Sequence, residues 1–274
     1  MTRDFAVVVP SRDRQADLSM CLRSVCEADN GRLLEIIVID DGSRTPIHAE
    51  SVTGQVDVRL LRNESAEGPD MARNKAALLA RADNLVFLDD DARMAYDWFE
   101  IASDAVDRRF RVFTGRVLPF DRGLSSRARQ WRYEQRYAGM VTGQSADFFA
   151  GGNSVVERDL FLRVGGFPVL AAGGDNGIVG RFADIGIQTT FVRELRILHR
   201  NGKGLRVAAE RAWASGRTTP GARRPEVIAD CAHSLRRLCR APFDIAATNV
   251  ILQIVHSTGQ LMSVRGNHAQ RGEK

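Results

Sequence analysis

Four short apolar runs, rich in β-branched residues, constrain the fold of the first ninety residues. Runs this apolar predict strands that are buried on both faces, which is typical of a parallel sheet covered by helices. Between them, Asp17 to Ala28 and Met71 to Ala82 carry apolar residues at helical spacing, so the order is β-α-β-β-α-β. The four predicted strands are Phe5 to Val9, Leu34 to Ile39, Val56 to Leu61 and Leu85 to Leu88.

The pattern predicts an α/β fold with a Rossmann-like mixed, mainly parallel sheet flanked by helices. The second half of the chain is less regular, and from Pro225 onward it predicts a helical C-terminal region with a polar, disordered tail over 265–274. Its other predicted elements are strands over Arg111 to Leu118, Phe148 to Val156 and Gln188 to Val192, a helix over Ser125 to Ala138, and a Gly-rich loop over Ala171 to Gly180.

The fourth strand ends in three consecutive carboxylates, Asp89, Asp90 and Asp91. Alternation along a strand places Asp89 and Asp91 on the same side. Carboxylates this close repel one another, and their pKa values rise unless a positive charge lies between them. A hard divalent cation, Mg²⁺ or Mn²⁺, fits this need, and a solvated acidic turn is the alternative. Asp13 and Asp41 also follow strand ends, at the edge where such sheets bind ligands.

The segment after the first strand excludes several common nucleotide sites. It reads Pro10-Ser11-Arg12-Asp13-Arg14, with neither the G-x-G-x-x-G of dinucleotide-binding folds nor a P-loop. A haloacid-dehalogenase-type phosphatase would need an acidic pair at this position. The chemistry is therefore expected at the acids that follow the second and fourth strands.

Composition and cysteine usage bound the class of protein. With 44% hydrophobic and 27% charged residues, the chain is expected to fold as a globular protein. Its four cysteines form no C-x-x-C pair and are expected to be free thiols in a reducing cytoplasm. We find neither a signal peptide nor a stretch of about 20 apolar residues that would span a membrane. The cysteines are Cys21, Cys26, Cys231 and Cys239.

Basic residues concentrate in the C-terminal third of the chain. Residues 193–240 contain twelve Lys and Arg against four Asp and Glu. Such a segment is expected to contact phosphates, an acidic acceptor or anionic lipid. Contact with anionic lipid would place this otherwise cytoplasmic protein at the inner face of the membrane. A solvated pair of basic helices is the alternative.

Four motifs in sequence order resemble those of the family 2 glycosyltransferases, which have the GT-A fold. Later segments that match the family's acceptor side and catalytic loop are Gly151 to Ser154, Gly165 to Phe167 and Gly174-Asp175, so the resemblance reaches about His199. The four motifs are Val7 to Arg14, Ile36 to Ser43, Ala72-Arg73-Asn74 and Phe87 to Asp91.

The resemblance implies roles on the donor side of the site. Asp41 would accept a hydrogen bond from the nucleotide base, expected to be uracil, whereas Asp40 could be a turn acid. Arg73 would approach the ribose or diphosphate, although a surface arginine is the commoner outcome. Asp89 and Asp90 would contact the ribose side of the donor. The segment Pro10, Ser11, Arg12 and Asp13 would line the nucleotide.

The resemblance also implies a metal and a base. Asp91 would be the direct ligand of Mn²⁺ or Mg²⁺, completed by Asp89 and by His199, for which a structural role is the alternative. Asp175 would be the general base that removes the proton of the acceptor hydroxyl in an inverting displacement. The family usually has a second acid before it, where this chain has Gly174. An Asp-Asn-Gly turn is the alternative for Asp175, and Asp184 is a second candidate.

Two further patterns bear on partners. Arg200 and Lys203 could clamp the diphosphate. Trp131, Tyr133 and Tyr137 alternate with arginines, a pattern that suits nucleic acid or sugar but more commonly marks one packed helix face. No nucleic-acid partner is expected, because the basic residues lie beside a carboxylate-rich sheet edge. The C-terminal helices could form a homodimer through Val250, Ile251, Ile254, Val255 and Leu261.

The expected organisation is a glycosyltransferase domain over 1–204 and a helical extension over 205–264, before the tail over 265–274. Within the domain, 1–115 would bind the nucleotide sugar and 116–204 would face an unidentified hydroxyl acceptor. The Q-x-x-R-W signature of processive synthases does not follow Asp175. The expected function is therefore metal-dependent, inverting, non-processive transfer from a UDP-sugar. A catalytically silent nucleotide-sugar-binding protein and a sugar nucleotidyltransferase are the alternatives.

Overall fold

A computed structural model describes residues 4–49, 56–168, 174–202, 204–218, 224–238 and 240–269. Within these ranges the chain forms nine strands and nine helices. The strands are β1 (Phe5–Ser11), β2 (Leu33–Asp41), β3 (Asp57–Asn63), β4 (Asn84–Leu88), β5 (Ala92–Met94), β6 (Val112–Pro119), β7 (Ser145–Ala146), β8 (Asn153–Glu157) and β9 (Thr189–His199).

The helices alternate with the strands in the first half of the chain and follow one another in the last third. They are α1 (Gln15–Ala28), α2 (Pro69–Leu79), α3 (Trp98–Asp107), α4 (Leu124–Tyr137), α5 (Arg158–Arg163), α6 (Gly174–Ala183), α7 (Leu205–Thr218), α8 (Arg224–Leu238) and α9 (Phe243–Ala269).

One mixed sheet has the strand order β3-β2-β1-β4-β8-β6-β9-β5, and β7 pairs with β9. The first four strands are parallel. From β4 onward the direction alternates, because β8 runs antiparallel to β4 and to β6, while β5 and β7 run antiparallel to β9. The predicted mixed α/β sheet is confirmed, but its parallel character is confined to the N-terminal half.

Aromatic residues from both halves of the chain fill the core on one face of this sheet. Every residue of β1 and β4 is buried, as the apolar runs predicted. Phe87 of β4 packs against the rings of Phe149, Phe161 and Phe167, with centroids 5.0 to 6.1 Å apart. Rings at these separations add to the free energy of burial. The core therefore joins the predicted nucleotide half to the segment that follows it.

The structure corrects two predictions about local structure. The predicted Gly-rich loop over Ala171 to Gly180 is instead helical from Gly174 onward. Ile178 and Phe182, four residues apart, are both fully buried, and this burial outweighs the low helix propensity of the glycines. The strand predicted over Phe148 to Val156 begins only at Asn153. The sequence analysis also missed α3, whose Trp98 is fully buried.

The described residues form two compact units. The sheet unit comprises described residues within 1–118, 137–169 and 174–199, and the helical unit those within 119–136 and 200–274. The segment 119–136, which contains most of α4, therefore groups with the C-terminal helices rather than with the sheet. Hydrogen bonds explain this grouping, because Asn249 Nδ2 on α9 donates to Ala128 O and Asp121 accepts from the backbone of Asn201.

Close backbone contact joins α7 and α9 in the helical unit. A Cβ added to Gly216 would lie 2.0 Å from His256 O, and one added to Gly259 would lie 2.8 Å from Trp213 O. Helix α9 continues to Ala269, so the first half of the predicted disordered tail is helical, and 270–274 lie outside the described residues. No helix in the described part of the chain is both long and apolar enough to cross a bilayer.

Asn153 is a buried junction of the sheet, and its truncation should destabilise the fold. Its Oδ1 accepts from Trp98 Nε1 at 2.9 Å, and its Nδ2 donates to Arg116 O and Leu195 O at 2.9 and 3.1 Å. Asn153→Ala leaves these groups without partners, so we expect a loss of about 2–4 kcal/mol in the free energy of unfolding by urea. Glu157→Gln, at the exposed end of the same strand, should change it by less than about 1 kcal/mol. Equal losses in both variants would contradict this role.

Candidate metal and nucleotide site

Two carboxylates and an imidazole converge at the carboxyl end of β4. Asp89, Asp91 and His199 each offer a ligand atom, and the three atoms lie within 4.8 Å of one another. His199 Nε2 lies 3.0 Å from Asp91 Oδ1 and 3.5 Å from Asp89 Oδ2. Neighbouring ligands of an octahedral cation lie about 3 Å apart when each metal–oxygen distance is about 2.1 Å. The donor set and its spacing therefore fit a divalent cation such as Mn²⁺ or Mg²⁺.

The pairing of β5 with β9 places His199 beside the carboxylates. β5 begins directly after Asp91, and its first residue, Ala92, is paired with His199 at the end of β9. A slip of one residue would turn the imidazole to the opposite face of the sheet. The side chains of His199 and Asp91 are only 3% and 2% exposed, whereas that of Asp89 is 34% exposed. The accessible side of the cluster is therefore the Asp89 side.

Two arginines contact the outer oxygens of the acidic cluster. Arg14 NH1 lies 2.8 Å from Asp90 Oδ1 and 3.1 Å from Asp91 Oδ2. Arg73 NH2 lies 2.6 Å from Asp89 Oδ1. These contacts offset the repulsion between adjacent carboxylates and leave Asp89 Oδ2 and Asp91 Oδ1 directed toward His199.

Burial and neighbouring charge together set the protonation of the cluster. Burial raises the pKa of Asp90, although Arg14 and a hydrogen bond from Ser11 act against it. Burial lowers the pKa of His199, but hydrogen bonds to Asp89 and Asp91 outweigh it, so the net pKa is raised. Burial also lowers the pKa of Arg14, and the attraction of Asp90 and Asp91 raises it overall. The raised pKa values of His199 and Arg14 show that the carboxylates stabilise positive charge beside them.

The absence of a side chain at Gly152 leaves space for the Asp89 carboxylate. A Cβ at position 152 would lie 2.7 Å from Asp89 Oδ2 and 2.8 Å from its Cγ. A side chain here would rotate the carboxylate away from His199. The glycine lies just before β8, which pairs with β4 through Leu88 and Asn153.

The end of β1 and the loop after it are hydrogen-bonded to the segments that follow β4 and β2. Ser11 Oγ donates to Asp90 Oδ2 at 2.8 Å. Asp13 has a φ of 55°, and its backbone N–H donates to Ser43 Oγ while its carboxylate accepts from Arg44 N. Pro10 is buried within β1, and Arg12 is exposed. The four predicted nucleotide residues thus lie together at the edge of the sheet that carries the acidic cluster.

Asp41, predicted to contact the base, organises the loop that leads into α2. Its Oδ1 accepts from Asn63 Nδ2 and Glu67 N, and its Oδ2 accepts from Gly68 N, all at 2.8 to 2.9 Å. A carboxylate has about four lone-pair directions, and these contacts use three of them. The contact with a base stays a prediction.

Asp40 has the turn role that the sequence analysis left open. Its Oδ1 accepts from Ser43 N at 2.9 Å, and its carboxylate is paired with Arg62. Burial raises the pKa of Asp40, but the hydrogen bonds from Ser43, Ile47 and Arg62 lower it overall. The buried carboxylate is therefore charged and directed into the Asp-Gly-Ser turn.

Arg73 is buried, so it is not the surface arginine that the sequence analysis gave as the commoner alternative. Besides Asp89, it contacts Asp70 at 3.1 Å, and its guanidinium lies 5.8 Å from the centroid of the Phe167 ring. Its Nε is buried and has no hydrogen-bond acceptor among the described residues. The adjacent Asn74 holds the backbone of Phe167 through two hydrogen bonds.

Several predicted residues fall partly or wholly outside the described part of the chain. Asp175 is the second residue of α6, but its side chain lies outside the described residues. Lys203 also lies outside them, and Arg200 is described in the helical unit, 5.7 Å from the Phe120 ring centroid. Asp184, the second candidate base, is exposed at the end of α6. The described cysteines, Cys21, Cys26 and Cys231, are free thiols as expected, and Cys239 lies outside the described residues.

The sequence analysis missed two residues that shape the site. Arg14 was quoted within a motif, yet its contact with two of the three carboxylates was not predicted. An arginine just after a buried strand, at the edge that also carries three consecutive acids, was the available signal. Gly152 left no such signal. Only when β8 lies beside β4 does it become clear that a side chain at position 152 would collide with Asp89.

The comparisons with known proteins agree with this geometry. The model of "Glycosyl transferase family 2" matches residues 6–165, more than half of the chain, and this chain belongs to that family. A pre-mycofactocin glycosyltransferase of Mycobacterium tuberculosis is 27% identical over 231 residues, which cover 80% of this chain and 47% of that protein. An uncharacterised glycosyltransferase of Haemophilus influenzae is 33% identical over 87 residues, covering 32% of this chain and 29% of that protein. The chain thus spans about half the length of the first of these relatives, and less of the second.

Solved structures share the fold at low sequence identity. The mannosyltransferase PcManGT of Pyrobaculum calidifontis, in complex with GDP-Man and Mn²⁺, has a TM-score of 0.60 at 16% identity, covering 100% of this chain and 76% of that one. Residues 1–349 of S. aureus TarS, in complex with UDP-GlcNAc, have a TM-score of 0.59 at 13% identity, covering 96% and 92%. The sheet and its helices therefore have the architecture of GT-A glycosyltransferases, as the sequence predicted.

Filling the space beside Asp89 should weaken metal binding. In Gly152→Ala the new Cβ displaces the Asp89 carboxylate, so we expect Mn²⁺ affinity, measured by isothermal titration calorimetry, to fall at least about tenfold. Gly180→Ala is the matched control, since no atom lies within 4 Å of its added Cβ, and it should bind Mn²⁺ like the wild type. Unchanged affinity in Gly152→Ala would mean that Asp89 is not a ligand.

Proposed function

We propose that this chain is a metal-dependent, inverting glycosyltransferase that moves one sugar from a nucleotide-diphosphate sugar to an acceptor hydroxyl. The observation that carries the proposal is the convergence of Asp89, Asp91 and His199 at the ligand-binding edge of a GT-A sheet. Family membership supports the reaction class. Two proteins of similar fold were solved with GDP-Man and Mn²⁺ and with UDP-GlcNAc, which supports a nucleotide-sugar donor here.

In this proposal, Asp91, Asp89 and His199 hold Mn²⁺ or Mg²⁺ against the donor diphosphate. The cation would neutralise charge on the departing nucleoside diphosphate. An imidazole ligand beside two carboxylates favours Mn²⁺ over Mg²⁺, because Mg²⁺ prefers oxygen ligands alone. Arg73 and Arg14 orient the carboxylates through their ion pairs with Asp89, Asp90 and Asp91.

The donor nucleoside would lie over the segment after β1 and the end of β2. Ser11 fixes Asp90, so that the Asp90 carboxylate and that of Asp89 border the position of the ribose. Asp41 has one lone pair left for a donor on the base, and the imide N–H of uracil would fill it. Other bases also carry N–H donors, so the proposal of a uridine nucleotide rests on the family resemblance.

The acceptor would be activated by Asp175. Its carboxylate would take the proton of the acceptor hydroxyl as that oxygen bonds to the anomeric carbon and the bond to the diphosphate breaks on the opposite face. The result is one inverted glycosidic bond for each donor consumed. A catalytically silent nucleotide-sugar binder remains the second candidate, because Gly174 replaces the acid that the family usually has there.

Donor binding should require the metal site. With UDP-sugar at about a hundred times its Kd and Mn²⁺ present, ligand linkage adds about 2.7 kcal/mol, or roughly 5–10 °C in Tm by thermal shift. Asp91→Asn should lose this shift, whereas Asp159→Asn, whose carboxylate is exposed, should keep it. Mn²⁺ should act at lower concentration than Mg²⁺. An equal shift in EDTA would sink the metal assignment.

Transfer should require Asp175 but not Asp184. Asp175→Asn should bind UDP-sugar with unchanged affinity, while the rate of UDP release with acceptor hydroxyls or water falls by about 10²- to 10⁴-fold. Asp184→Asn is the control and should keep the wild-type rate. The reverse result would assign the base to Asp184. A wild-type protein that binds donor and releases no UDP with any acceptor would establish the silent binder.

A further inference from the structure

A turn after α5 contacts both helices that carry candidate residues of the donor and acceptor sides. It consists of Gly165, Gly166 and Phe167, and we call it the α5 turn. It is hydrogen-bonded to α2, which carries Arg73, and to α6, whose second residue is Asp175. All of these residues belong to the sheet unit. The contacts of the α5 turn therefore bear on how α6 is held beside the site.

Arg181 fixes α6 to the α5 turn. Its NH1 lies 2.8 Å from both Gly165 O and Gly166 O, and 3.4 Å from Val164 O. These carbonyls come directly after α5, so no N–H group of that helix is available to them. The two N–H groups of NH1 match the two short contacts. The last turn of α6 is thus tied to the α5 turn through one guanidinium.

Asn74 fixes the same turn to α2. Its Oδ1 accepts from Phe167 N at 2.9 Å, and its Nδ2 donates to Phe167 O at 3.0 Å. These bonds need a glycine beside them, because Gly166 has a φ of 66° and a Cβ there would overlap Asn74 Oδ1. Arg73, the preceding residue, contacts Asp89. One helix therefore carries both the contact with the acidic cluster and the contact with the turn that holds α6.

The first turn of α6 contacts the segment that precedes β8. Phe149 N donates to Asn176 Oδ1 at 3.4 Å, and the rings of Phe149 and Phe182 lie 6.3 Å apart. Gly152, three residues further along the same segment, lies against the Asp89 carboxylate. Both ends of α6 are therefore connected, through short contacts, to segments that touch the acidic cluster.

We propose that Arg181 is a positioning residue for the transfer reaction. By holding α6 to the α5 turn, it keeps the first turn of α6, which carries Asp175, in a fixed place relative to the acidic cluster. The inference rests on the proposed function, in which Asp175 is the general base. Proton removal and displacement need aligned groups, and a misplacement of about 1 Å can reduce a rate about a hundredfold. Arg181 acts through the helix rather than on the substrate.

Steady-state rates separate positioning from binding. The probes are UDP-glucose, UDP-N-acetylglucosamine and GDP-mannose with Mn²⁺, and the one from which the wild-type protein releases nucleoside diphosphate fastest is used throughout. Arg181→Gln should lower kcat about 10- to 100-fold and leave KM for the donor within about twofold of the wild-type value. A raised KM at unchanged kcat would assign Arg181 to donor binding and overturn the positioning role.

Arg158 on α5 provides the matched control. Its guanidinium also donates to carbonyls near the end of a helix, to Ala77 O at 3.2 Å and to Leu78 O at 3.4 Å, but it makes no contact with α6 among the described residues. Arg158→Gln removes a comparable structural contact and should keep kcat within about twofold of the wild-type value. Equal losses of kcat in the two variants would indicate a general loss of structure and overturn the proposal.

A double-mutant cycle tests whether Arg181 acts through Asp175. In an Asp175→Asn background, a displaced base can no longer be the cause of a loss. Adding Arg181→Gln should therefore lower the residual rate by less than about twofold. Losses that multiply in the double variant would show that Arg181 acts independently of Asp175, which overturns the inference.

Hydrogen exchange tests the positioning of α6 without catalysis. In an α-helix the N–H of residue i bonds to the carbonyl of residue i−4, so the amides of 178–180 report on the turn that carries Asp175. In Arg181→Gln these amides should exchange at least about tenfold faster than in the wild type, and in Arg158→Gln at the wild-type rate. Unchanged exchange in Arg181→Gln overturns the positioning role, whether or not the protein is active.

The two proposals fail in different ways. A wild-type protein that releases no nucleoside diphosphate from any of the three donors contradicts the proposed function, and hydrogen exchange still decides whether Arg181 fixes α6. If Arg181→Gln does not fold, Arg181→Lys takes its place in every measurement. Smaller effects in the same direction are then expected, because an ammonium group on a shorter side chain holds these carbonyls less well than a guanidinium.

Discussion

Repulsion among three consecutive carboxylates is the constraint on which the site depends. Asp89, Asp90 and Asp91 follow a fully buried strand, so water cannot screen them as it would on the surface. Arg14, the residue before α1, and Arg73, on α2, supply the compensating positive charge. The arginines occupy the outer oxygens, so the inner oxygens keep a shared negative potential. A divalent cation completes this balance more fully than a protonated histidine does.

The change from parallel to antiparallel pairing brings the remaining ligand to the cluster. Antiparallel β8 beside β4 places Gly152 against Asp89, and Asn153 then ties β8 to β6 and β9. Close approach of β6 and β9 needs Gly115, where an added Cβ would lie 2.0 Å from Leu195 O. β9 ends at His199, opposite the first residue after the acids. The second half of the sheet therefore contributes to the candidate metal site through backbone positions as much as through side chains.

Much of the nucleotide half could be predicted from sequence because its signals are local. Continuous apolar runs define β1, β2 and β4, and the residues that follow them must meet at one edge. The later half of the chain could not be predicted in the same way, because its elements depend on contacts between distant segments. Helix α6, for example, is stabilised by the burial of Phe182 against Phe149. The resemblance to family 2 implied that Asp91 and His199 belong to one site, and their side chains do lie 3.0 Å apart. It did not identify Arg14, whose role depends on the fold of the segment after β1.

The anchoring of Asp41 couples the loop before α2 to the acidic cluster. Its carboxylate holds Gly68, the residue that precedes α2, and α2 carries the arginine that contacts Asp89. Removing the Asp41 side chain would release the start of that helix, and with it the position of the arginine that contacts Asp89. Glu64, Ser65 and Ala66 on the same loop are exposed, so substitutions at these positions leave the contact between the Asp41 carboxylate and Gly68 in place.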